Sequence, residues 1–329
     1  MAHGAQVTTW DGSKDTNWSD DDNWSGVAAE IPEAGDEVIF NSTSVEAPLT
    51  GMAITDTGGV DFDLLHFKKT YTGGIGATQV PLHTSAQKIV IEGSGTYFIE
   101  IAESSAVDQV VPLVIINNKD ATVYITGEIC TAAQVCEVTK LIVIAGTVYI
   151  GNDGTAEKSL AVQNLYITPK NNKSANATVY IDNDCERLKA TAYAMNIYMR
   201  DGTCISDSAA ALIEMNDGTF TYGTEGGGGT TDQLITLLHL HGGTFNWVPE
   251  STGGAPVITV AYLFSGSFNA SSTVNDDVAK TITTVYLFDG AMLNAQNNMG
   301  NITITNLYNH DGNFVADSGA KLAITYNQP

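Results

Sequence analysis

The stretch LIVIAGTVYI, residues 141–150, joins four apolar residues to an alternating β-prone run through a small-residue turn. Near-copies recur down the chain: VIINNKDATVYI ends at Ile125, NKSANATVYI at Ile181, LLHLHGGTFNW at Trp247, AYLFSGSF at Phe268 and VYLFDGAML at Leu293. The small residue before the second run stands at Gly95, Ala121, Gly146, Ala177, Gly202, Gly218, Gly243, Gly266, Gly290 and Gly312, in steps of 26, 25, 31, 25, 16, 25, 23, 24 and 22 residues. A period in the low-to-mid twenties is one coil of a solenoid, a supersecondary unit that buries its apolar face only against its neighbours. In TVYI the alternation sends Val123 and Ile125, Val148 and Ile150, Val179 and Ile181 to one face, where they stack as core. Tyr124, Tyr149 and Tyr180 then point outward as a ladder. The plain reading of that ladder is β-propensity on a half-buried face, and the functional one is a strip that binds sugar or protein.

Composition agrees with many short strands. Of 329 residues 43% are hydrophobic and only 16% charged, which excludes a disordered chain. The 32 glycines and 8 prolines supply turns between runs rich in Val, Ile, Thr and Tyr. Only SDSAAALIEM, residues 206–215, invites a short helix. The spacing predicts an all-β fold: a single-stranded, right-handed parallel β-helix of about ten or eleven coils. The 31-residue step is explained by an extruded loop at residues 168–177, and residues 222–233 carry four consecutive glycines. The 16-residue step marks either a truncated coil or a slipped marker. After Phe245 the aromatic residues Trp247, Phe264, Phe268, Phe288 and Phe314 are assigned inward, and KLAITY, residues 321–326, reads as a last strand.

Formal charge is −23, from 37 acidic and 14 basic residues, which repels phosphate backbones and argues against nucleic-acid partners. No basic segment followed by an apolar run opens the chain, and no apolar run is long enough to span a membrane. Cys130, Cys136, Cys185 and Cys204 include no CxxC, so zinc ligation has little support; Cys130 and Cys136 are close enough in sequence to bridge a small loop.

Residues 1–47 form a distinct module, set apart from a repeat domain at 48–329. Trp10, Trp18 and Trp24 fall here among turn residues, followed by a strand ending at Phe40 after a Pro32/Gly35 turn. Large aromatics in this setting suit a cap over the open end of a solenoid. The pattern W-x-G…NW…NWSG…P-x-x-GD-x-V-x-F is met by Trp10, Gly12, Asn17, Trp18, Asn23, Trp24, Pro32, Gly35, Asp36, Val38 and Phe40. It resembles the opening of large bacterial β-solenoid surface proteins of the adhesin and autotransporter-associated type, and of virion surface proteins of tailed phages. That resemblance implies fold and surface location, and carries no catalytic residue.

Candidate chemistry is sparse. The densest acidic groups are Asp20, Asp21 and Asp22; Asp182 and Asp184; and Asp276 and Asp277. Adjacent turn carboxylates do not set the separation a glycosidase needs, and turn Asp ordinarily caps backbone. A lyase would look to Arg187, Lys189 and Arg200 beside Asp182, Asp184 and Asp201. His239 and His241 share an outward face near Glu250, a weak metal signal by itself. No cofactor motif occurs: the GGIG and GGGG runs lack a strand–loop–helix context. The expectation is therefore a structural protein of the virion surface, a capsid decoration or cement protein. Its partners would be the capsid lattice or further copies of itself, a trimer among the options, with no nucleic acid and no membrane. Trp10, Trp18, Trp24 and Phe40 are the candidate docking residues. The alternatives are a tail spike or receptor-binding protein, a polysaccharide depolymerase, and an adhesin on a bacterial cell surface.

Overall fold

The computed structural model describes residues 6–26, 31–44, 62–78, 81–84, 86–101, 109–127, 136–151, 160–169, 177–181, 195–223, 234–248, 256–270, 279–296, 302–316 and 322–328. Within them the chain is all β, a parallel β-solenoid, and a three-residue 3-10 turn at Asp21–Asn23 is the one helical element. The helix considered for residues 206–215 is instead a strand, Ala210–Met215. Its residues Ala210, Ile213 and Met215 are buried between parallel neighbours, and that packing overrides the local run of alanines.

Contacts divide the chain into two units. One comprises Met1–Leu165, Asn176–Val179 and Arg187–Tyr193, and the other Tyr166–Ala175, Tyr180–Glu186 and Ala194–Pro329. In the N-terminal unit, Val7–Trp10 pairs in parallel with Glu37–Phe40, and that strand pairs in turn with Leu64–Phe67. The ladder continues through Lys88–Ile91 and Leu113–Gly127 to Cys136–Ile150. Trp24–Gly26, antiparallel to Val7–Trp10, lies at the outer edge of this ladder. The residues around the proposed division at 47 and 48 lie outside the described segments, but Glu37–Phe40 already stacks in register on the strand that follows it.

In the C-terminal unit seven parallel strands stack in succession: Met195–Met199, Ala210–Met215, Leu234–Leu240, Val257–Leu263, Lys280–Phe288, Ile302–His310 and Leu322–Gln328. They form the first wall of this unit; the solenoid as a whole has about 7 turns, fewer than the ten or eleven coils the spacing predicts. The second wall runs through Thr203–Ser206, Thr219–Tyr222, Thr244–Trp247, Gly266–Asn269, Ala291–Ala295 and Asn313–Ala316. Between the walls lie Met215, Leu240, Leu263 and Leu287, facing Phe220, Phe245 and Phe268; the last three rings stack at 5.3 Å per step. The 16-residue step is a genuine short coil, because Thr203 pairs with Thr219 across it.

Eight of the ten marker residues open or immediately precede a strand, while Ala121 and Gly146 lie within Leu113–Gly127 and Cys136–Ile150, and the reason for glycine is steric as well as conformational. Gly218, Gly243 and Gly266 have φ of +89°, +75° and +81°, a region that a Cβ disfavours. A Cβ on Gly243 would also sit 2.5 Å from the carbonyl oxygen of Gly218, one rung below. The repeat is therefore set by turns in which successive rungs touch through their backbones.

The six inward residues assigned from TVYI are all buried, at 3% exposure or less. Two of the later aromatic assignments need correction. Trp247 and Phe268 are inside, but Phe264 is 36% exposed and Phe288 half-buried on the outer surface. Alternation explains the error: Leu263 and Leu287 take the inward positions, so the following phenylalanines turn out. Phe314, on the last second-wall strand, is half-buried. Cys136 and Cys204 are buried, whereas Cys130 and Cys185 lie outside the described residues, as do the loop residues 170–176 and 224–233.

Candidate interaction face

The Trp-rich segment is a built core. Trp10, Trp18 and Phe40 are fully buried and Trp24 is 3% exposed. Trp24 meets Trp10 and Trp18 edge-on at 5.1 and 4.6 Å, and Phe40 continues the cluster onto Phe67 at 4.6 Å. The Trp24 indole N–H donates to the Trp18 carbonyl at 2.9 Å. Tyr71 and Tyr97 close the cluster, their hydroxyls donating to the carbonyls of Gly74 and Ser94, and burial pushes both phenols up. Thus the four residues expected to dock on a partner are spent inside the chain. A partner at this end would meet the loop over them and not the rings.

That loop is organised by buried Asn23. Its amide donates to the Asp15 carboxylate at 2.7 Å and the Asn17 carbonyl at 2.9 Å, and its oxygen accepts from the backbone N–H groups of Lys14 and Asp15, both at 3.0 Å. The Asn17 backbone N–H and then the Asn23 donation hold the Asp15 carboxyl below its usual range. Asp20, Asp21 and Asp22 are the only described acidic, His or Cys trio with ligand atoms within 4.8 Å of one another. Asp20 caps the 3-10 turn, and the Lys14 ammonium lies 2.9 Å from Asp20 and 2.7 Å from Asp22. Asp20 and Asp22 therefore have structural partners.

Outward tyrosines do form a ladder in the N-terminal unit. Tyr124 and Tyr149 stack at 4.7 Å and 8°, and Phe98 extends the column at 4.7 Å and 3°. Tyr180 is half-buried at the equivalent place in its own ATVYI strand. The longer aromatic array is in the C-terminal unit. One column runs His239, Tyr262, Tyr286, Tyr308, in strict cross-strand register. Its tyrosines stack at 4.7 and 4.9 Å. A second column, two residues on, runs His241, Phe264, Phe288, His310 at 4.7, 5.0 and 5.2 Å. Near-parallel stacking covers most of each ring face with its neighbour, so solvent meets ring edges and tyrosine hydroxyls. The signal for this array was present in AYLF, VYLF and LYNH, but placing Phe264 and Phe288 inside concealed it.

The charge of this face is its second property. The strands LITLLHL, VITVAYL, KTITTVYLF and ITITNLYNH contain no carboxylate, and their one lysine, Lys280, is fully buried. The Lys280 ammonium donates to the carbonyls of Trp247 and Ala270 at 3.4 and 3.3 Å and lies 5.9 Å from the Trp247 ring centroid. The second-wall strands TFNW, GSFN, AMLNA and NFVA are also free of charge. There the outward residues form an amide ladder, Asn294 to Asn269 at 3.5 Å, Asn269 to Asn246 at 3.0 Å and Asn246 to Thr221 at 3.5 Å. Four rungs of a chain with 37 acidic residues thus present none on their strands.

His239 is held below the ordinary imidazole range, first by desolvation and then by neighbouring His241, with Glu214 acting in the opposite sense. In the N-terminal unit two further imidazoles find carboxylates: His66 lies 3.2 Å from Glu92 and His83 3.5 Å from buried Glu100. Of the catalytic candidates, Asp201 is buried and accepts from the Gly202 N–H at 2.6 Å, a turn cap. Asp182, Asp184, Arg187, Lys189, Glu250, Asp276 and Asp277 lie outside the described residues. No described helix is long and apolar enough to cross a membrane. No family model, curated protein or solved structure matches the chain, so the likeness of its Trp-rich opening to adhesin-type and phage surface solenoids assigns no family.

Proposed function

We propose that this chain is a structural surface protein that docks on a protein lattice through the aromatic face of its C-terminal unit, and specifically a decoration or cement protein on the exterior of a phage capsid. The observation that carries the reading is an outward aromatic array whose strands bear no carboxylate, on a chain of net charge −23. A strongly acidic surface keeps copies soluble and apart, and a neutral, aromatic strip is the place where a partner approaches without opposing charge. Rigid tyrosine and phenylalanine side chains, already immobilised by stacking, lose little entropy on binding, which suits an anchor at an interface. Further copies of the chain, including a trimeric arrangement, fit the same strip.

A second reading draws on the other wall. The Asn246, Asn269 and Asn294 amides and the Thr219 and Thr244 side chains of the neighbouring outward column suit the hydroxyls of a glycan, as in a receptor-binding spike or a surface adhesin. Purified particles separate the two. A decoration protein is expected in fixed stoichiometry to the major capsid protein, and the double variant Tyr286→Ser, Phe288→Ser should lower its occupancy about thirtyfold. Absence of the chain from purified particles would sink the decoration reading.

A further inference from the structure

At one rung the aromatic columns of the C-terminal unit give way to side chains of a different kind, before Tyr198 resumes the first column and stacks on Tyr166 at 4.8 Å. Glu214 is the register partner of His239, and the His241 N–H donates to the Met215 carbonyl at 2.8 Å, which sets Asn216 beside His241. Two rungs therefore contribute two positions each: Glu214 and Asn216 on one, His239 and His241 on the next. From these residues we propose a binding site for one divalent transition-metal ion, with His239 and His241 as imidazole ligands, Glu214 as the carboxylate ligand and an open fourth position.

The spacing is suited to it. Residues two apart on a strand share a face, roughly 7 Å apart, and register partners on adjacent strands are about 4.8 Å apart. The two imidazole centroids are 6.2 Å apart with the rings 85° from coplanar. Two imidazoles bound through nitrogen at about 2.0–2.1 Å to one tetrahedral ion have centroids roughly 5–6 Å apart, so a small ring rotation closes the pair. The Glu214 side chain, half-buried, must swing toward them, since the three ligand atoms do not lie within 4.8 Å in the metal-free geometry. On the far side the rings are held by neighbours: His241 stacks on Phe264 at 4.7 Å, and His239 meets Tyr262 edge-on at 5.2 Å. Such packing fixes ligand orientation from behind and leaves the Glu214 side open. Two imidazoles and one carboxylate select zinc, nickel or copper over calcium or magnesium.

Titration calorimetry of the untagged chain with zinc chloride, and separately nickel chloride, tests the site. One equivalent should bind per chain. His239→Ala, His241→Ala in combination should abolish binding, and Glu214→Gln should weaken it about tenfold. Asp20→Asn, Asp21→Asn, Asp22→Asn in combination should leave it unchanged. Because these side chains are on the surface, far-ultraviolet circular dichroism should report an unaltered fold. In the wild type, zinc should shift the His239 and His241 imidazole resonances before those of His66, His83 and His310. Wild type without saturable binding, unchanged affinity in the double histidine variant or in Glu214→Gln, or loss of binding in the aspartate variant would each overturn the assignment.

Discussion

The N-terminal unit packs its tryptophans into one mixed-angle cluster, whereas the C-terminal unit, beside its buried Trp247 and phenylalanine stack, carries its longest aromatic columns on the outside. Trp10, Trp18, Trp24 and Phe40 meet at mixed angles, edge on face, and fill a volume at an edge of the strand ladder. Tyr262, Tyr286 and Tyr308 are instead copies of one position, stacked within 11° of parallel because the rungs beneath them repeat. The first set pays for itself in burial. The second is held by its neighbours yet keeps its edges and hydroxyls at the surface. The same residue class thus serves stability where it is buried and, in the reading proposed above, recognition where the columns face outward.

That contrast is open to direct attack. Trp18→Ala should cost about 3–5 kcal/mol in urea unfolding, the range for a fully buried large aromatic, while Tyr286→Ala should cost no more than about 1.5 kcal/mol. Equal losses would erase the distinction. Gly243→Ala sharpens the account of the repeat itself: a left-handed φ of +75° and a Cβ 2.5 Å from the Gly218 oxygen should cost about 1–3 kcal/mol, measured the same way. Asn269→Ala removes the middle of the amide ladder, which both accepts from Asn294 and donates to Asn246, and should cost about 1 kcal/mol.

The smallest effect concerns pH. His239 titrates below its ordinary value of 6.5 in the folded chain, so protons bind the unfolded state more readily. Its contribution to stability is therefore unimpaired above that value and declines as pH falls through it. A histidine titration by NMR should place His239 below 6.5, and His239→Gln should remove that part of the acid sensitivity. A His239 value above 6.5 would mean that Glu214, and not desolvation, governs the site.

Much of the architecture could be read from period and alternation. The ten marker residues and the inward Val and Ile of TVYI were legible because a rung repeats its chemistry wherever its backbone geometry repeats. What escaped was phase and purpose. Phe264 and Phe288 read as core since hydrophobic residues usually are, and only the burial of Leu263 and Leu287 shows which parity faces inward. Trp10, Trp18 and Trp24 read both as a cap and as docking residues, and only the burial of their rings separates the two roles. Their enclosure depends on buried Asn23 pulling the polar loop over them, a contact that sequence spacing does not reveal. Likewise Glu214 stands 25 residues before His239, and only the register brings the two side by side.

The docking role proposed for the C-terminal aromatic columns makes a prediction at the level of the assembled particle. A reconstruction of the intact particle tests it most directly. Density for the chain is expected on the capsid exterior, with Tyr262, Phe264, Tyr286 and Phe288 against a neighbouring subunit. A bound chain with those four side chains turned to solvent would contradict it.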